Sequence, residues 1–125
     1  MYIARTNNQI VAKGNSWTKV YERASRISHD FVIEWIGSRD VLQLRCIRAL
    51  RREYRELING DYMSPSRGAA VEGINEAELL DFMFKNKLPY ADSRLEAMKA
   101  LGKIQMIESK LDKKITSTRR AGLAK

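Results

Sequence analysis

Arg45, Arg48, Arg52 and Arg55 recur at spacings of three and four residues. On a helix that spacing collects them within a sector of roughly 80°, at about 100° per residue. Arg51 lies next to the sector. A guanidinium is always charged, and its planar fork matches phosphate and carboxylate geometry. A single-sign row of this kind is the electrostatic footprint of a polyanion, nucleic acid or a phosphorylated nucleotide above all. Asp40, Glu53 and Glu56 are near enough in sequence to lace the face with local ion pairs, but the four arginines outnumber them.

Two further segments carry the same chemistry. Lys110, Lys113, Lys114, Arg119, Arg120 and Lys125 form a basic C-terminal region that can act as an arm on the same polyanion. Ser64-Pro65-Ser66-Arg67-Gly68-Ala69-Ala70 places an arginine beside a glycine, which allows close backbone approach to a phosphate. That segment lacks the spacing of a Walker loop, and no lysine-serine pair opens the next helix. The expected phosphate-binding set is therefore Arg45, Arg48, Arg51, Arg52, Arg55, Arg67, Lys113, Lys114, Arg119 and Arg120.

Nothing comparable points to catalysis. His29 is the single histidine and stands before Asp30, a pair that suggests general-base chemistry, yet nothing in the sequence brings a nucleophile to it. Cys46 is the single cysteine. It has no partner for an internal disulfide, and a zinc site would need carboxylates without recognisable spacing as its other ligands. Cys46 borders the apolar stripe of the arginine helix and reads as a buried thiol. No catalytic residue, metal ligand or cofactor is assigned.

The elements that must position the arginines follow from pattern and punctuation. Tyr2 to Thr6 and Gln9 to Lys13 read as strands of a hairpin, with Asn7-Asn8 supplying the positive φ angles of its turn. A helix capped near Ser16 carries Trp17, Val20, Tyr21, Ala24 and Ile27 on one face, and Phe31 to Ile36 is an apolar, β-branched run of strand length. The arginine helix runs from Ser38 to Ile58, with Val41, Leu44, Ile47, Leu50, Tyr54, Leu57 and Ile58 as its apolar stripe. Asp61 to Gly73 reads as a loop. Asn75 with Glu78, and Ser93 with Glu96, open two more helices as capping boxes, the second a long one reaching about Thr116.

Three strands cannot stand alone. The fold expected is α+β: a small N-terminal β-β-α-β sheet unit over residues 1–37, packed against three C-terminal helices over 38–117, the last one long. A basic flexible tail follows at 118–125, and the whole of 1–125 is one domain. In the last helix Ala97, Leu101, Ile104, Glu108, Leu111 and Ile115 approximate a heptad seam of about three repeats. Leu101, Ile104, Leu111 and Ile115 are the expected interface of a homo-oligomer. Phe82 and Phe84 stand two positions apart and cannot both face inward, which leaves one of them for association.

Composition bounds the function. The chain has 125 residues, 44% of them hydrophobic and 30% charged, with a formal net charge of +8. That balance favours anionic partners and fast electrostatic encounter. No apolar run approaches the roughly 20 residues of a membrane span, and the N-terminal residues lack the apolar core of a signal peptide. The expectation is a small basic, non-enzymatic, cytoplasmic protein that binds nucleic acid or another phosphate-rich ligand through an arginine-striped helix. A different class fits the same residues: a phage-type or mobile-element interaction protein that inhibits a host system. It would do so by binding an acidic host protein or sequestering a small nucleotide signal.

Overall fold

A computed structural model describes residues 1–123, with side chains through residue 117. The order is β1 (Tyr2–Thr6), β2 (Gln9–Gly14), α1 (Trp17–Ile27), β3 (Val32–Trp35), α2 (Arg39–Ile58), α3 (Pro65–Glu72), α4 (Glu76–Lys85) and α5 (Arg94–Leu123). It is an α+β fold. The strands form an antiparallel sheet in the order β2-β1-β3, with Tyr2 paired to Gly14 on one side and to Trp35 on the other. Asn7 and Asn8 take φ of 50° and 64°, the left-handed pair that matches a two-residue turn to the twist of a hairpin. A register shift between Ala4 and Arg5 leaves Val11 unpaired, which is a β-bulge. Tyr2, Ala4 and Ala12 are buried in the core with Val20 and Ala24 of α1.

α2 is the central element and packs against α3, α4 and α5. Because neighbours cover it on several sides, its buried arc is wider than a simple stripe. Leu42, Cys46, Ile47, Ala49, Leu50, Glu53 and Tyr54 are all buried, an arc of about 160° at 100° per residue. Val41, expected in the apolar stripe, is 44% exposed. At the same 100° per residue it falls within the arginine sector, so its apolar type and not its angular position suggests the stripe. Leu44, Leu57 and Ile58 are only half-buried.

Among the described residues four helices, not three, follow the sheet unit, because the expected loop from Asp61 to Gly73 contains α3. Its punctuation is complete. The Ser64 hydroxyl accepts from the Arg67 amide at 3.1 Å, Pro65 occupies the first turn, and Gly73 closes the helix at φ 77°. Gly68 is what allows α3 to lie on α2: a Cβ there would stand 2.8 Å from Glu53 Cγ and 3.2 Å from the Ala49 carbonyl oxygen.

The expected seam between chains closes inside this one. Ala97, Ala100, Ile104 and Leu111 are buried, and α5 packs along α2. Leu101 and Ile115 border that contact half-buried. Ion pairs fix the direction as antiparallel, Arg51 meeting Glu108 and Lys114 meeting Asp40. Leu101, Ile104, Leu111 and Ile115 therefore belong to the intramolecular core and its margin. Among the described side chains, the large apolar ones exposed on α5 are instead Leu95, Met98 and Met106.

Candidate nucleic-acid interface

The arginines of α2 separate into two groups. Arg48, Arg52 and Arg55 are exposed. They line one shallow groove together with Arg51, Glu56 and Asn59. Among the described residues no ion pair or side-chain hydrogen bond engages any of these three. Arg51 is drawn aside into the crease between α2 and α5, where it bonds Glu108. Its charge is partly neutralised there, so it borders the face rather than belonging to it.

Arg45 lies at the edge of the sector next to the buried arc, and its side chain turns toward α3. Its Nη2 donates to the Glu72 carbonyl at 2.7 Å and to the Gly73 carbonyl at 3.2 Å. Those carbonyls lie at the C-terminal end of α3, where a helix leaves acceptors without intrahelical donors. The guanidinium carbon stands 6.0 Å from the Tyr2 ring centre and 5.8 Å from that of Trp35. Arg45 thus ties α2 to α3 and the sheet.

Arg67 is committed more completely. Its Nε and Nη2 donate to Glu53 Oε1 at 3.1 and 2.8 Å, Nη1 donates to Asp61 at 3.0 Å, and Nη2 also reaches the Tyr62 carbonyl at 2.8 Å. Its guanidinium lies 4.9 Å from the Tyr62 ring centre. Glu53 is fully buried and accepts in addition from the Ser64 amide at 2.9 Å. The hydrogen bonds to Glu53, followed by the charges of Glu53 and Asp61, hold the Arg67 proton more tightly than usual. Asp61 is held below the ordinary carboxyl range, first by the Tyr62 amide and then by Arg67. A phosphate at Arg67 would have to displace a buried carboxylate. The loop reading of Ser64 to Ala70 is replaced by a structural ion-pair network.

The remaining basic residues scatter. Lys113 is exposed on α5. Lys114 bonds Asp40 at 3.2 Å, at the opposite end of α2 from Arg48 and Arg55, about 12 to 22 Å away at 1.5 Å per residue. Arg119 and Arg120 lie outside the residues whose side chains are described. His29 is exposed in a turn where the Asp30 amide donates to the Ser28 hydroxyl at 3.1 Å. Cys46 is buried, and burial above all, with the charge of Glu78 second, pushes its thiol up to about 12. Among the described residues no group of three or more His, Cys, Asp or Glu is placed to hold a metal ion. No helix among them is long and apolar enough to cross a membrane.

No known protein family matches the chain, and no curated protein or solved structure matches it either.

Two features were missed from the sequence. One is Glu53, whose acidic type hid its place in the buried arc, four residues from Ala49 and seven from Cys46. That spacing was the available signal. The other is a cleft between α2 and α4 that brings Arg39 and Glu78 together from well-separated parts of the chain. No local motif marks it.

Proposed function

We propose that α2 docks on the phosphate backbone of nucleic acid through Arg48, Arg52 and Arg55. The protein is read as a small basic cytoplasmic binder, with no catalytic step assigned to it. One observation carries the reading: these three guanidiniums share one exposed helix face and have no acidic partner among the described residues, while Arg45, Arg51 and Arg67 are held by partners. From Arg48 to Arg55 the helix rises about 10 Å. Three successive phosphates of one strand extend about 7 Å along a duplex axis, a mismatch that flexible arginine side chains can absorb. Phosphate contacts of this kind position a protein without reading sequence. A cytoplasmic setting is supported by a single cysteine that has no disulfide partner within the chain.

Fluorescence polarisation with a labelled duplex and a labelled single strand tests this directly. Three phosphate contacts set the slope of log affinity against log salt at about −2.7 for duplex and about −2.1 for single strand. The triple variant Arg48→Ala, Arg52→Ala, Arg55→Ala should bind at least tenfold more weakly and keep its circular dichroism. Equal affinity in the triple variant would remove this face from the reading.

The interaction-protein reading keeps one specific support. Phe84 is 84% exposed and Tyr90 66%, and large exposed aromatics are typical anchors of protein interfaces. A partner seated there would be lost with Phe84→Ala and Tyr90→Ala and would depend little on salt.

A further inference from the structure

The cleft between α2 and α4 faces away from the arginine groove. Leu42, Gln43 and Cys46 line it, and they sit about 160° around α2 from Arg48, Arg52 and Arg55. Its volume is about 480 Å³, within the range of small-molecule sites. Leu42, Cys46 and Phe82 make an apolar floor, each at most 5% exposed.

Two opposite charges meet at this cleft without closing on each other. Arg39 comes from the first turn of α2 and forms no ion pair among the described residues. Glu78 comes from α4, is half-buried, and among the described residues takes one side-chain hydrogen bond, from the Tyr2 hydroxyl at 3.4 Å. The charges of Arg39 and Arg45 act on Glu78, yet desolvation outweighs them and raises its carboxyl above the ordinary range. The other charges at the mouth cancel locally, Lys85 pairing with Asp81 at 2.9 Å.

We propose that the cleft binds a free α-amino acid with an apolar side chain. Its carboxylate meets Arg39, its ammonium meets Glu78, and its side chain lies on Leu42, Cys46 and Phe82. A simple anion would answer Arg39 but bring a second negative charge to Glu78. A simple cation would answer Glu78 and meet Arg39. Only a zwitterion satisfies both walls, and its ammonium replaces the hydration that Glu78 has lost. A nucleoside monophosphate brings a phosphate but no cation to Glu78 and is disfavoured by the same charge pattern.

Isothermal titration of the full chain with L-leucine and L-methionine tests the assignment. N-acetyl-L-leucine, which lacks the ammonium, and isopentylamine, which lacks the carboxylate, serve as controls. Leucine or methionine should bind, and each control should bind at least tenfold more weakly. Arg39→Met and Glu78→Gln should each weaken the amino acid at least tenfold. Arg39 is exposed and glutamine keeps an acceptor for Tyr2, so both variants should fold, as circular dichroism will check. The double variant Arg48→Ala, Arg52→Ala should bind the amino acid unchanged, which separates this site from the phosphate-binding face. The proposal is overturned by no heat and no amide shift at Leu42, Cys46 or Ala77 with millimolar amino acid. Equal binding of the blocked analogues, or preference for AMP or UMP, overturns it as well.

Discussion

Arg45 and Arg48 stand one turn apart on the same helix and live in different worlds. Arg45 closes on two carbonyls at the end of α3. Arg48 lies exposed in the groove with Arg52 and Arg55. Residue type and spacing are the same for both. The difference comes from α3, which supplies acceptors to the inward side from nearly thirty residues away and nothing to the outward side. A charged stripe is therefore not one object. Its inward edge holds the fold together, and only its outward edge is left to meet a partner.

The comparison breaks most sharply at Glu53, the buried acid on the inward side. Glu53→Ala strands Arg67 and the Ser64 amide and opens a cavity, and should destabilise the protein by about 3 kcal/mol. Urea unfolding measures it; a loss below about 1 kcal/mol would show that the network contributes little. Gly68→Ala comes next, at about 2 kcal/mol, because the added methyl meets a tethered side chain and a backbone carbonyl. Thermal unfolding of that single variant decides whether α3 has room to shift.

Arg45→Ala and Arg48→Ala form the central pair. The first should cost about 1.5 kcal/mol, from hydrogen bonds made by a charged donor, and leave nucleic-acid affinity alone. The second should stay within about 0.5 kcal/mol in stability and weaken binding. If both variants lose affinity equally, the inward and outward distinction fails. Gly102 is the counterpart of Gly68, since nothing lies within 4 Å of an added Cβ there. Gly102→Ala, at an exposed position of α5, should stabilise by about 0.7 kcal/mol, the opposite sign to Gly68→Ala.

The smallest effect concerns pH. The folded chain raises the Glu78 carboxyl above its ordinary 4.5, so it holds that proton more tightly than the unfolded chain. Stability from this group is complete below that ordinary value and declines as the pH rises through the folded value. Glu78→Gln should accordingly gain in stability relative to the unaltered chain from about pH 4 to pH 7. A flat difference over that range would show that Arg39, Arg45 and Tyr2 fully offset its burial.

What was legible in the sequence follows one physical rule. Local signals carried through: Asn7-Asn8 for the hairpin, Ser38 for the start of α2, Ser93 with Glu96 for α5. Signals that depend on distant partners did not. Ser64, Pro65 and Gly73 read as loop composition until taken together as the start and stop of a short helix. Arg67 read as a free cation because its acid, Glu53, sits in another helix. Leu101 and Ile104 read as a seam between chains because a helix pattern reports that a face is covered, not by what. For the candidate site, Arg48, Arg52 and Arg55 were visible from spacing alone, whereas the withdrawal of Arg45, Arg51 and Arg67 required the tertiary fold.

Tyr2 sets a timetable for synthesis. It sits fully buried in the middle strand, yet its hydroxyl is bound to Asn75 and Glu78, 73 and 76 residues downstream. At ribosomal rates of about 5 to 20 residues per second, the hairpin waits about 4 to 15 s for those partners to be made. Both edges of β1 can pair once residue 35 is made. Throughout the rest of that interval the Tyr2 hydroxyl lacks both partners and the sheet lacks the α4 side of its cover, which is the kind of exposed apolar surface that recruits chaperones to nascent chains. Ribosome-bound chains halted just before and just after α4 should differ in how well protease reaches β1.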